Sequence, residues 1–319
     1  MTHPIPPGTR DVLPDEMREL RVLSERLRHT FEEAGYGEVW TPALEYEEVL
    51  RAGDERAAGA GYRLFDEHGQ VLALRSDMTI PIARVVANRY ADSEPPLRFC
   101  YVAHAYRAAA PGVSSEFLQG GIELIGVPGP EGDAEVVSLV VDGLTAAGLG
   151  RHRIGIGDGG LYRRLLAALD VPAAEHVALL ERLARRDLAG LGLDVDRLGI
   201  TGAARKLLVR LPELRGGPEV LERADGPVAE AVEGLRQLHA LLADRGVADR
   251  VIFDLGLVRE LGYYTGAVFE VYDPAVGFAL GGGGRYDELI GRFGRELPAC
   301  GVALDLQRVH LAQAAEEKL

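Results

Sequence analysis

Read for the spacing of its apolar side chains, the chain divides into a helical opening, a run of strands, a long helical middle and a strand-rich end. Met17, Leu20, Val22, Leu23, Leu27 and Phe31 recur near a period of 3.6 and predict a helix. The turn-rich arm PIPPGTRDVLPDEM precedes it, and Ala34 to Gly37 stop it. EVWTPALEY predicts a strand; because Pro42 lacks a ladder donor, that strand belongs at an edge or an interface. RLFDEHGQVLALRSDMT predicts a hairpin turning at His68 and Gly69, leading into a helix from Thr79 through Tyr90. PLRFCYVAHAYR predicts a strand ending at Arg107, joined by the loop AAAPGVSSE to another strand that starts near Glu116. From Leu161 to about Ala248 the pattern turns helical, with leucine and alanine runs and many arginines, before strand character resumes at VIFDLGL. The end is glycine-rich in FALGGGGRYDELIGRFG and closes with a strand and a helix in LPACGVALDLQRVHLAQAAEEKL.

Two strand-like stretches carry polar groups where core residues should dominate. In SSEFLQGGIELIG, from Ser114 to Gly126, the apolar set Phe117, Ile122, Leu124 and Ile125 is interrupted by Glu116, Gln119 and Glu123. A buried carboxylate is costly unless something answers it. In ELGYYTGAVFEVY, from Glu260 to Tyr272, Tyr263, Tyr264, Thr265, Val268, Phe269, Val271 and Tyr272 have strong β character, and Arg259 stands just upstream. A carboxylate, an amide, an arginine and paired tyrosines can cage a small zwitterion, with an acceptor for an ammonium and donors for a carboxylate. The same residues also fit an internal salt bridge with core tyrosines. LRSDMT places Asp77 and Thr79 at i and i+2, on one face of a strand where an ammonium could be held, or else as a helix cap. Arg107, Arg285 and Arg308 each fit either an anion contact or an ion pair.

Two glycine clusters resemble nucleotide motifs and fail on context. Gly281 to Gly284 lacks the lysine and hydroxyl of a phosphate loop, so close backbone packing is the better reading. GIGDGG at Gly155 to Gly160 has the GxGxxG pattern, but the region about 20 residues on reads as helix ending at Asp170, so it is taken as a turn.

Composition narrows the function classes. With 319 residues and 47% hydrophobic content the chain can bury a large core. Lys plus Arg number 35 against 49 for Asp plus Glu, a formal charge of −14 that offers no footprint for a phosphate backbone. No nucleic-acid partner is expected. Cys100 and Cys300 stand alone, with no metal-ligand spacing, so reduced buried thiols and no metal are expected. The N-terminus has no basic region followed by an apolar run, and no segment approaches a membrane span, so no membrane partner and a cytoplasmic location are expected.

The order of these pieces resembles the catalytic domain of class II aminoacyl-tRNA synthetases, specifically histidyl-tRNA synthetase, nearly end to end. PPGTRDVLP resembles that family's N-terminal arm, GYGEVWTPALE its motif 1, LRSDMT its LRPEGT element, and Arg107 to Gly126 its motif 2. LVRELGYYTGAVFE resembles the histidine signature LVRGLDYY, and GGRYDELIG through LDLQRV resembles the approach to motif 3 and motif 3 itself. The resemblance implies an α+β fold, a class II synthetase-like antiparallel sheet flanked by helices. It implies one such domain over 1–319, with a helical insertion over 161–248. It also puts Gln119, Glu123, Arg259, Tyr263 and Tyr264 where that family contacts histidine, with Asp77 and Thr79 on the side of its amino group; Arg107 joins the candidate histidine-binding set.

The departures set the expected function. Ala108 to Ala110, Ser114 and Ser115 stand where the family's motif 2 loop holds nucleotide; Asp305 replaces a glycine and Gln307 a glutamate in motif 3, while Arg308 remains. A carboxylate at Asp305 would repel phosphate. Glu260 and Gly262 replace the signature's glycine and aspartate, altering the charge near Arg259. The sequence ends at Leu319, after motif 3, so no anticodon-binding domain is expected. A histidine pocket without ATP or tRNA contacts resembles the regulatory subunits of the short-form ATP phosphoribosyltransferase of histidine biosynthesis, and SDMT is close to their usual PDMT. That resemblance implies no catalytic residues and no cofactor, assembly with a separate catalytic subunit, its activation, and feedback inhibition by histidine. It further implies a homodimer through the motif 1 region. The alternatives are a truncated synthetase paralogue that adenylates an amino acid for a non-tRNA acceptor, and a scaffolding module with a vestigial pocket.

Overall fold

The computed structural model describes residues 3–54, 61–108, 114–224, 226–258 and 262–319. Helix α1 (Pro14–Glu33) starts with proline in its first turn, where the missing N–H costs nothing. It buries Leu20, Leu23, Leu27 and Phe31 as one stripe, and Met17 and Val22 of the predicted set face solvent. The predicted EVWTPALEY strand divides into β1 (Gly37–Glu38) and β2 (Leu44–Tyr46), which lie in different sheets. The cause is visible between them: the carbonyls of Thr41 and Pro42 accept from the Arg75 guanidinium and Pro42 has no N–H to give, so the backbone cannot continue a ladder. Both pieces do sit at sheet edges.

Helix α2 (Glu47–Gly53) is followed by β3 (Arg63–Phe65) and β4 (Val71–Leu74), the predicted hairpin, with Gly69 at φ +78° in its turn. Together they form a three-stranded sheet ordered β2-β4-β3. Helix α3 (Thr79–Arg89) leads to β5 (Leu97–Tyr106) and β6 (Glu116–Ile125), paired antiparallel over their full length. Then come α4 (Gly129–Ala146) and β7 (Arg153–Asp158). The segment AAAPGVSSE lies partly outside the described residues.

The GxGxxG stretch is the end of β7 and a turn, closed by the Gly160 N–H donating to Asp158 Oδ1 at 2.9 Å. Five helices follow: α5 (Leu161–Ala168), α6 (Ala173–Ala184), α7 (Leu188–Arg197), α8 (Gly202–Arg210) and α9 (Ala229–Asp244), with the two-residue β8 (Arg215–Gly216) before the last. The chain returns to the sheet through β9 (Val251–Asp254), β10 (Ala267–Tyr272), β11 (Ala279–Arg285) and β12 (Ala299–Asp305), and closes on α10 (Leu306–Glu316).

Among the described residues the large sheet has nine strands ordered β1-β5-β6-β12-β11-β10-β7-β9-β8. Its pairs are antiparallel except β1 with β5 and β7 with β9. Strand alternation gives this sheet two different faces. Cys100, Ile122, Leu124 and Val302 point into a large core shared with α1, α4, the middle helices and α10, and both thiols are buried there unpaired. Phe99, Tyr101, Ala103 and Ile125 point into a smaller core with α3, Tyr263, Tyr264 and Tyr286. Among the described residues no helix is long and apolar enough to cross a membrane.

The glycine run is a packing device. β11 is threaded between β10 and β12, and a Cβ at Gly283 would run into the Gly301 carbonyl and lie 2.7 Å from Val302 Cα. Gly283→Ala is therefore expected to destabilise the fold by about 2 kcal/mol or more through overpacking. Thermal unfolding measures this, and an unchanged Tm would contradict the close strand approach.

Candidate functional site

The smaller core contains a carboxylate that has no ion-pair partner among the described residues and is ringed by hydroxyls. Glu123 is 1% exposed. Thr79 donates its hydroxyl to Glu123 Oε1 at 2.7 Å, Tyr101 donates to the same oxygen at 3.5 Å, and Tyr286 donates a short hydrogen bond to Oε2. Room for this arrangement comes from glycine. Gly301 pairs with Glu123 across β6 and β12, and a Cβ there would occupy the position of Oε2; a Cβ at Gly121 would lie 2.5 Å from the Tyr101 hydroxyl oxygen.

Burial pushes Glu123 up to about 7, partly offset by the hydroxyls of Tyr286 and Thr79, while Asp77 nearby pushes it further up. Burial, then Glu123 and Asp77, also hold Tyr101 well above its ordinary value. Tyr286 is raised in the same direction by burial and by Glu123, so these phenols stay protonated donors. Asp77 is itself raised, chiefly by burial. The arrangement can accept hydrogen bonds from a ligand N–H or ammonium, and aromatic rings pack beside it: Tyr263 and Tyr264 have ring centroids 4.9 Å apart, and Tyr263 meets Tyr286 edge-on at 5.7 Å.

The predicted site residues distribute as follows. Glu123, Thr79, Tyr263, Tyr264 and Asp77 share the smaller core, but two of the predicted local geometries are corrected. Asp77 and Thr79 are at the start of α3 rather than on a strand, and Asp77 Oδ1 accepts from the Ile80 N–H at 3.1 Å, the cap geometry. Asp77 thus caps a helix and lies near Glu123 at once. Tyr263 and Tyr264 precede β10, because ladder pairing with β7 begins only at Ala267 opposite Asp158. Gln119 is on the Glu123 face of β6, 8% exposed, with Oε1 buried and without a hydrogen-bond partner among the described residues. Arg259, with Glu260, lies outside the described residues.

Arg107 stands at the other end of the same strand face, its guanidinium 4.1 Å over the Phe117 ring, six residues and roughly 20 Å along β6 from Glu123. Asp305, opposite Gln119, caps α10 by accepting from the Gln307 and Arg308 N–H groups at 3.1 Å each. The Arg308 side chain donates to the Ala279 carbonyl at 2.9 Å and pairs with Asp305 at 3.3 Å. Arg285 is buried in an ion pair with Asp133 at 2.9 Å, which favours the ion-pair alternative for that residue.

Sequence reasoning missed Tyr101 and Tyr286. Tyr101 reads as one more apolar residue of PLRFCYVAHAYR, and Tyr286 follows a glycine run and an arginine that drew the attention; their hydroxyls meet Glu123 only once β5 and the residue after β11 converge on it. The one available signal was parity, since Tyr101 falls on the same strand face as Phe99 and Ala103.

Comparison with known proteins follows the same lines. The family model for histidyl-tRNA synthetase matches residues 8–309. A Desulforamulus reducens protein named ATP phosphoribosyltransferase regulatory subunit is 42% identical over 96% of this chain and 78% of its own length. A Symbiobacterium thermophilum protein of the same name is 43% identical over 99% of this chain and 81% of its own. Among solved structures, a Bacillus halodurans protein described as an ATP phosphoribosyltransferase regulatory subunit/histidyl-tRNA synthetase superposes with a TM-score of 0.91 at 32% identity, covering 98% of this chain and 84% of that one.

The raised Glu123 has a stability consequence. Between its ordinary value of 4.5 and about 7 the folded protein keeps a proton that the unfolded chain has released. Glu123 therefore contributes a stability that falls as pH rises through that window, by up to about 3 kcal/mol. Glu123→Gln is expected to flatten this part of the stability profile in denaturant titrations between pH 4.5 and 7.5; an identical slope in the variant would contradict the assignment.

Proposed function

Because the chain belongs to the histidyl-tRNA synthetase family, and the relatives that match 96% and 99% of it are named ATP phosphoribosyltransferase regulatory subunits, we propose that it is such a regulatory subunit. In this reading it has no catalytic activity of its own. It assembles with the separate short-form catalytic subunit, activates it at the first step of histidine biosynthesis, and takes part in feedback inhibition by histidine. The observation that carries the reading is the buried Glu123 carboxylate, held by Thr79, Tyr101 and Tyr286 beside the tyrosine pair.

Glu123 and one tyrosine take the imidazole, Asp77 and Thr79 the α-ammonium, and Gln119 with Arg259 the carboxylate end. The Gln119 Nε2 amide would donate to that carboxylate, and its unsatisfied Oε1 remains to accept from a ligand N–H. At the far end of the face, Arg107 lies on Phe117 and Arg308 is drawn onto Asp305 and Ala279. These contacts, with a capping carboxylate at Asp305, argue against the adenylating alternative, since that ground is where the resemblance would put nucleotide.

Homodimer formation in the motif 1 region is part of the proposal. In the small sheet, Leu44, Leu74 and Tyr62, then Tyr46, Leu72 and Leu64, are cross-strand neighbours on one face. Leu44, Tyr46, Tyr62 and Leu64 are all exposed, as is Trp40 nearby. An apolar sheet face of this kind is commonly an interaction surface.

Reconstitution with the catalytic subunit tests the reading. Added chain is expected to raise phosphoribosyltransferase activity, and Glu123→Ala to leave that activation intact. The variant should raise the histidine concentration for half-inhibition at least tenfold, about 1.4 kcal/mol in binding. Failure to activate would overturn the regulatory role, and unchanged histidine sensitivity would overturn the Glu123 assignment.

A further inference from the structure

Arg75 has an environment that the pocket does not explain. Its side chain is 3% exposed, yet among the described residues no carboxylate lies within ion-pair distance of it. Its guanidinium instead donates to the Thr41 carbonyl at 2.5 Å, the Thr41 hydroxyl at 3.1 Å, the Pro42 carbonyl at 3.1 Å and the His104 carbonyl at 2.8 Å. Its main chain repeats the pattern, with Arg75 N–H on the Ala43 carbonyl and the Tyr106 N–H on the Arg75 carbonyl, both at 2.9 Å. A fully buried guanidinium is expensive to desolvate, and this one satisfies its fork on the backbone of two separate segments.

One of those segments is the irregular stretch between β1 and β2. It carries Trp40, 82% exposed, and runs directly into Leu44 and Tyr46 of the apolar sheet face. On the other side, Arg75 is two residues from Asp77, whose carboxylate accepts from the Ser76 hydroxyl at 3.1 Å as well as from Ile80. The Thr41 hydroxyl that receives Arg75 also reaches Met78 Sδ at 3.7 Å, next to Thr79. A ligand ammonium that draws on Asp77 therefore pulls the same short turn that fixes residues 41 to 43. Packed segments of this kind shift as units rather than deforming smoothly.

We propose that Arg75 is a positioning residue that transmits occupancy of the Glu123 pocket to the Trp40 segment, and so to the exposed face of the small sheet. The inference rests on the histidine-pocket reading and adds a route by which that pocket acts at a distance. Such coupling needs the ligand to favour one arrangement of the 40–43 segment by a typical 5- to 150-fold.

The chain supplies its own reporter, since Trp40 is its only tryptophan. Histidine titrated into the full chain should change Trp40 emission, saturating at the midpoint of the calorimetric heat measured in parallel. In Arg75→Met, histidine should still produce heat while the Trp40 response is lost. Arg75→Lys keeps the charge without the fork and should weaken the response, which provides a second variant should the methionine protein not fold. Histidine heat with a silent Trp40 in the unaltered protein would overturn the inference alone, as would a full response in a folded Arg75 variant. Absence of histidine heat in the unaltered protein would overturn the pocket reading and this inference with it.

Discussion

A buried carboxylate, met by hydroxyls and by no cation among the described residues, constrains much of this structure. Glu123 can stay in the smaller core only if hydroxyl donors replace its water, and each donor fixes an element: Thr79 the start of α3, Tyr101 the middle of β5, Tyr286 the end of β11. Those hydroxyls can reach it only where side chains are missing, which makes Gly121 and Gly301 part of the same device. The large core on the opposite face of the sheet is filled mainly by apolar side chains from α1, α4 and the middle helices, with the Arg285–Asp133 ion pair buried at its edge. The molecule thus spends its apolar burial on one face and its specificity on the other.

Along the specific face, β6 orders the chemistry by strand parity. Glu123, Gly121, Gln119 and Phe117 follow one another on one side, and β12 sets Gly301, Ala303 and Asp305 against the first three. The Glu123 end has hydroxyls and aromatic walls; the Phe117 end has Arg107 on the ring and Asp305 engaged as a helix cap. In the proposed reading, the buried carboxylate serves a small amino-acid ligand, and the arginines at the Phe117 end are already engaged by carboxylate and ring partners.

Much of this was legible in the sequence, and the failures have physical causes. Periodicity found α1, the hairpin at Gly69, α3, the paired strands β5 and β6, and the closing strand and helix. Glu123 and Gln119 stood out because period-2 alternation makes a polar residue on a buried face conspicuous. Tyr101 and Tyr286 did not, since an aromatic in an apolar strand looks like core until its hydroxyl finds a distant partner. EVWTPALEY read as one strand because nothing local reveals that Arg75, some 30 residues on, takes the carbonyls of Thr41 and Pro42. Tyr263 and Tyr264 have strand propensity but lie in a turn, where tertiary packing against Tyr286 overrides it.

The central claim is that the Glu123 pocket binds histidine while the shelf at Phe117 does not bind nucleotide. Isothermal titration of the purified chain with histidine, and separately with ATP in the presence of magnesium, tests it most directly. The account predicts saturable heat with histidine and none with ATP. Binding of both would return an adenylating enzyme to the front, and binding of ATP without histidine would contradict the account outright.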